Sequence, residues 1–199
     1  MNQNDIKLYL PKFLSAKAEE ELLSCLKDFP ENVNQRLYSD ILLNEPTIFQ
    51  GDVISEMIVV NLPSTQTKNV DALILSNTCD IDRNNERYFP SRIIYSPLIA
   101  ISKYSELLRR KGITNEKITN HLNTIRKQRI TQIFYLPEKQ SKYEESIVFL
   151  DRLNNIGINS IDPSHLMQRR KSILSNYGAY LFVLKMSIHF SRIRDKVER

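Results

Sequence analysis

Cysteine and glycine are both scarce in this 199-residue chain, at two and four residues respectively, and each scarcity closes off a class of protein. Cys25 and Cys79 form no CxxC pair, so neither a disulfide framework nor a zinc cluster is expected, and a reducing cytoplasm suits the chain best. Four glycines are too few for a Gly-rich phosphate cradle, and the chain has no phosphate-loop, GxGxxG, GxSxG or HExxH pattern. Long apolar runs are missing too. None approaches the roughly 18 residues of a membrane span, and the polar opening around Asp5 holds no apolar core of signal-peptide length. Neither export nor a membrane span is expected.

What is present is an ordinary globular composition, 41% hydrophobic and 26% charged, in a chain long enough for one sizeable core. The net charge of +5 is unevenly spread. Lys103 to Arg129 holds eight basic residues against two acids, His165 to Arg199 repeats that ratio, and the remainder is net acidic. Two such segments on one face would set up a positive field attractive to phosphates, whereas solvated helices would carry the same residues with no further role.

Apolar spacing of three and four predicts a first helix from Ala16 to Phe29, with Ser15 as its N-cap, Glu19 to Glu21 near the positive end of the dipole and Pro30 closing it. Between Phe49 and Pro97 the pattern turns to short β-type runs: Val53 to Leu62, Val70 to Ser76, and Ile93 to Tyr95. A helical pair follows within 102–128, broken at Gly112 and capped by Thr114. Two further strands, Thr131 to Leu136 and Ser146 to Leu153, precede a long helix over 176–196 capped by Ser175 and apolar around much of its girth. The expected fold is therefore α+β. It comprises a small antiparallel β-barrel or strongly curved sheet of about five strands, with an inserted helical pair, an N-terminal helix and a long C-terminal helix. Residues 1–45 are expected as a helical appendage and 46–199 as a single barrel-like domain.

The stretch from Asp71 to Asp82 is the most site-like. An apolar run, Ala72 to Leu75, stops in the polar cluster Ser76, Asn77, Thr78, Cys79 and Asp80, while Gln50-Gly51-Asp52 opens the preceding strand, so adjacent strands would place Asp52 near Asp80. A nucleophilic Cys79 would need a base, but His121 and His189 read as packed core histidines, which leaves His165. Asp52, Asp80 and Asp82 supply the hard oxygens Mg²⁺ requires, with Arg83, Arg87 and Arg92 available for phosphate oxygens. Asp and Asn after a strand are also ordinary turn formers, and no cofactor is expected outside that Mg²⁺ alternative.

The series Gly51-Asp52-Val53-Ile54, then Ala72-Leu73-Ile74-Leu75-Ser76, then Ser96-Pro97-Leu98 resembles the start of the SH3-like barrel of PemK/MazF-type ribonuclease toxins. The resemblance covers residues 50–98 and implies a barrel with an RNA-binding surface. The family's Arg-Pro ahead of the second strand falls on Val70 and Asp71, and its hydroxyl-bearing residue after the third strand falls on Ile99 or Ala100. The catalytic positions are thus unmatched, and the resemblance does not carry RNA cleavage with it.

For nucleic acid the candidates are Arg109, Arg110 and Lys111; Arg126, Lys127 and Arg129; and Arg169, Arg170 and Lys171, with Tyr104, Tyr135 and Tyr177 as stacking aromatics. The reading that follows is a non-enzymatic binding or regulatory module for nucleic acid, RNA in particular, or for a partner protein, in a prokaryotic accessory or defence system. A Mg²⁺-dependent nuclease or other hydrolase using Asp80 and Asp82 is the second reading. A structural protein that self-associates through the C-terminal helix is the third.

Overall fold

The computed structural model describes residues 16–85 and 87–191, apart from the side chains of residues 16, 18 and 19. The expected Ser15 cap, residues 192–196 of the expected last helix, and the chain before residue 16 lie outside the described residues. The elements in chain order are α1 (Ala16–Lys27), α2 (Val33–Arg36), β1 (Tyr38–Ser39), β2 (Val53–Val60), β3 (Thr67–Ile74), α3 (Thr78–Ile81), β4 (Arg92–Ala100), α4 (Ile101–Arg110) and α5 (Asn115–Arg126). They continue with β5 (Ile133–Leu136), β6 (Ser146–Phe149), β7 (Asn154–Gly157), a 3₁₀ turn (Ile158–Ser160), α6 (Pro163–Arg169), β8 (Arg170–Leu174) and α7 (Asn176–Ser191).

The protein is α+β, with eight antiparallel strands among the described residues forming one sheet of order β1-β8-β2-β3-β4-β6-β5, and β7 joined to β4. The five expected strands are present, with the helical pair between the third and fourth. The additional strands β1, β7 and β8 are two, four and five residues long and mostly polar, which hides them from a pattern search. Tyr95 pairs with Ile74 on one edge of β4 and with Asn154 on the other, and β6 and β7 follow one another along that second edge. Among the described residues the ladder does not close into a barrel. It curves far enough for Tyr38 of the first edge strand to donate its hydroxyl to the carbonyl of Pro137, just past the last, at 2.7 Å.

Strand alternation splits the apolar residues between two cores. Val53 and Leu73 face a larger core shared with α1, α5, β5, β6 and α7, while Ile54, Ala72 and Ile74 face a smaller one with Met57, Tyr95, Ile158 and Leu166. Leu22, Val33 and Leu37, all ahead of residue 45, belong to the larger core, and β1 extends the sheet. Both expected interior caps are seen: Thr114 accepts from the Lys117 N–H, and Ser175 accepts from the Gly178 N–H at 3.1 Å. Gly112 ends α4 at φ +78°, the left-handed geometry that glycine adopts without cost.

The outer edge of β5 is capped by a side chain. The Gln128 amide donates to the Tyr135 carbonyl and accepts from the Tyr135 N–H, reproducing the bonds of an absent neighbour strand. Lys185 of α7 is buried beneath it and donates to both the backbone and side-chain oxygens of Gln128 at 2.8 and 2.9 Å. Burial pushes the Lys185 ammonium down to about 7.

Helix α7 meets the chain after α2 so closely that a Cβ on Gly178 would lie 2.2 Å from the Leu37 carbonyl oxygen. That oxygen already accepts from the Ser175 N–H, so it cannot retreat freely. Gly178→Ala is expected to destabilise the protein by about 2–3 kcal/mol. In urea titration this appears as a lower midpoint at unchanged slope.

Candidate functional site

The polar cluster at the end of β3 is a turn built from its own side chains. Asn77 caps the single-turn α3 by accepting from the Cys79 N–H, Thr78 accepts from the Gln50 N–H, and Ser76 accepts from the Ile94 N–H. The Cys79 thiol is exposed, and no histidine accompanies it: His121 bonds Tyr104 at 3.0 Å, His165 bonds Asp162, and His189 lies edge-on to Phe190. Asp80 is exposed, and its carboxylate pairs with Arg87 at 3.2 Å. Such an exposed pair is worth at most about 1 kcal/mol. Asp80→Ala should therefore change stability by less than about 1 kcal/mol in thermal or urea unfolding, consistent with a turn residue.

The Asp52 backbone lies beside the strand end that leads into this turn, its carbonyl accepting from the Ile74 N–H, but its carboxylate serves another purpose. Asp52 and Arg170 form an ion pair at 3.0 Å with both side chains fully buried. The Arg170 guanidinium also donates to the carbonyls of Leu42, Leu43, Glu45 and Thr47, so it pins the loop ahead of β2. Asp52 Oδ2 accepts from the Phe49 N–H, while Oδ1 is buried without a partner among the described residues. Burial holds the Asp52 carboxyl up at about 6, against the pull of Arg170 and the Phe49 N–H.

The nucleic-acid expectation for Arg170 is corrected accordingly: its side chain is inaccessible, because β8 is a strand and alternation turns Arg170 inward and Lys171 outward. Arg169 donates to the Ser55 and Glu56 carbonyls and lies 3.6 Å from the Glu56 carboxylate, so it braces β2. Of that triplet only Lys171 faces outward without an ion-pair partner among the described residues. On the helical pair, Arg126 is engaged bidentately by Glu145 at 2.7 and 2.8 Å, and Lys127 lies 3.6 Å from Glu31. Arg109, Arg110, Lys111 and Arg129 are exposed. The three aromatics expected to stack on bases are committed elsewhere: Tyr135 and Tyr177 are buried and bond Glu145 and Asn32, and Tyr104 bonds His121.

A different feature gathers charge from distant parts of the chain. A cleft of about 650 Å³ opens between the middle of β3, the C-terminal end of β4 and the segment before β6, lined by Val70, Asp71, Leu98 and Ala100 among others. Lys103 of α4, Lys142 of the connection before β6 and Lys171 of β8 all line it, and none has an ion-pair partner among the described residues. Tyr143 closes one side, its hydroxyl 2.6 Å from that of Ser172.

The cleft wall carries a β-bulge. Register passes from Ile54 opposite Ala72 to Met57 opposite Val70, so Ser55 and Glu56 together oppose Asp71. Glu56 takes φ +60°, and Ser141, next to Lys142, takes φ +61°. Two of the three non-glycine residues with left-handed backbone among the described residues thus flank the cleft, and such conformations concentrate where a fold serves a site.

Among the described residues no group of three or more His, Cys, Asp or Glu side chains is placed to hold a metal ion, and no helix is long and apolar enough to cross a membrane. No family model matches the chain, and no curated protein matches it.

Proposed function

We propose that the chain is a non-enzymatic binding module whose cleft takes the phosphodiester backbone of a nucleic acid. The observation that carries this reading is convergence: Lys103 from one basic segment and Lys171 from the other reach the same cleft, joined by Lys142. These three ammonium groups have no ion-pair partner among the described residues, and although the carboxylates of Glu56, Asp71 and Glu144 line the same concavity, cations so grouped are what phosphate recognition requires. Further support comes from position: of the places where the resemblance to the toxin barrel puts its functional residues, Val70 and Asp71 line this cleft, and of the alternatives Ile99 and Ala100, Ala100 does. We place the module in a prokaryotic accessory or defence system, and its cytoplasmic setting is consistent with two free cysteines.

The test is affinity for single-stranded and duplex oligonucleotides across a salt series. Each phosphate engaged on a single strand contributes about −0.7 to the slope of log K against log salt, so three lysines predict about −2. A flat line removes the proposal. The Mg²⁺ reading has less support, since Asp52 is sealed against Arg170 and Asp80 is an exposed residue paired with Arg87. Self-association has one observation in its favour, the exposed Val183, Ile188 and Phe190 on α7, and sedimentation at two concentrations decides it.

A further inference from the structure

The lysines explain attraction of phosphate, but not the carboxylate set among them. Asp71 occupies the single position opposite the two-residue bulge of β2, half-buried in the cleft wall. Among the described residues it makes no side-chain hydrogen bond and no ion pair within 4 Å. The other acids of the cleft are placed differently: Glu56 lies against Arg169, and Glu144 is exposed at the rim. Partial burial raises the Asp71 carboxyl and nearby Lys171 opposes that shift, which fits a group short of solvent and of partners.

A carboxylate facing a bound phosphate backbone repels it, so a ligand that tolerates Asp71 has to bring a donor to this spot. An ionised carboxylate is acceptor-only and holds hydroxyl donors more strongly than a neutral acceptor does. A DNA backbone offers no hydroxyl beside its phosphates, whereas RNA presents one on every ribose, and that group is how a protein tells the two apart. Resting on the proposed phosphate-binding cleft, we infer that Asp71 accepts a hydrogen bond from a ribose 2′-hydroxyl and so makes the cleft selective for RNA over DNA. The bulge gives this role its geometry. It leaves Asp71 without a single directly opposed residue, and Arg169 fixes the bulge through the carbonyls of Ser55 and Glu56.

The experiment compares one single-stranded sequence as RNA, as DNA and as 2′-O-methyl RNA, against the wild type, Asp71→Asn and Asp71→Leu. For the wild type, RNA is expected to bind about tenfold or more tighter than DNA, with 2′-O-methyl RNA close to DNA because its donor is gone. Asp71→Leu should bring the RNA-to-DNA ratio to within about threefold while raising DNA affinity, since it removes a repulsion, and Asp71→Asn should fall between. A ratio that Asp71→Leu leaves unchanged, or 2′-O-methyl RNA binding as well as RNA, overturns the role of Asp71 and leaves the phosphate cleft standing. Failure of the wild type to bind any of the three probes overturns both. The 2′-O-methyl comparison needs no variant, so the inference stays testable even if a substitution disturbs folding.

Discussion

Arg170→Met is expected to cost about 3–5 kcal/mol of stability, the range for breaking a buried ion pair from one side. The cost has two sources. Asp52 is left as a buried carboxylate without its cation, and the carbonyls of Leu42, Leu43, Glu45 and Thr47 lose their shared donor. The effect should depend on pH in a definite direction. A carboxyl held up at about 6 in the folded state, above its unfolded value, adds stability in full below the ordinary carboxylate range and loses it as pH rises through about 6. Removing Arg170 takes away the pull that limits this rise, so the window moves to higher pH. Urea unfolding of variant and wild type at pH 5.5 and 8 should show the larger gap at pH 8. Equal gaps would mean that removing Arg170 does not alter the protonation of Asp52 between those pH values. Hydrogen exchange in the loop at 42–47 should rise in the same variant.

The second large effect concerns binding. Replacing Lys103, Lys142 and Lys171 together by Gln should weaken single-stranded RNA binding about a hundredfold at low salt. Each solvent-facing contact is on the order of 1 kcal/mol there, and about 1.4 kcal/mol is tenfold in affinity. All three side chains line an open cleft and none has an ion-pair partner among the described residues, so the fold should be little affected. Replacing Arg109, Arg110 and Lys111 is the matched control, since those exposed groups on α4 and just after it do not line the cleft. Loss of affinity in the control with retention in the cleft variant would move the site to the helical pair.

Where the chain speaks through periodicity, the sequence is readable: the helical pair broken at Gly112, the caps at Thr114 and Ser175, and the apolar strands β2, β3, β5 and β6 stand where spacing and turn chemistry put them. The short polar strands were not readable, and one of them governs the electrostatics. Arg169-Arg170-Lys171 reads in sequence as one basic cluster, but strand β8 begins at Arg170 and sends the three side chains three ways. Ser76 to Asp80 drew attention because polar groups after a strand are common to turns and sites alike, and here hydrogen bonds to neighbouring backbone account for them. The cleft itself left little trace in sequence. Its lysines lie at 103, 142 and 171, and only the folded sheet brings them together. The one available signal was charge segregation, which pointed to two segments without saying which residue of each would meet.

The most direct test of the cleft as a nucleic-acid site is a methyl-NMR titration of the 23.3 kDa protein with single-stranded RNA. Val70, Leu98 and Ala100 line the cleft and report on its occupancy, while Leu107 and Ile113 are exposed on and just beyond α4, and Val183 and Ile188 on α7. Shifts that saturate at Val70, Leu98 and Ala100, with the α4 and α7 methyls unmoved, are the predicted result. Saturable binding that shifts only Leu107 and Ile113, or a titration that moves none of these methyls, would contradict it.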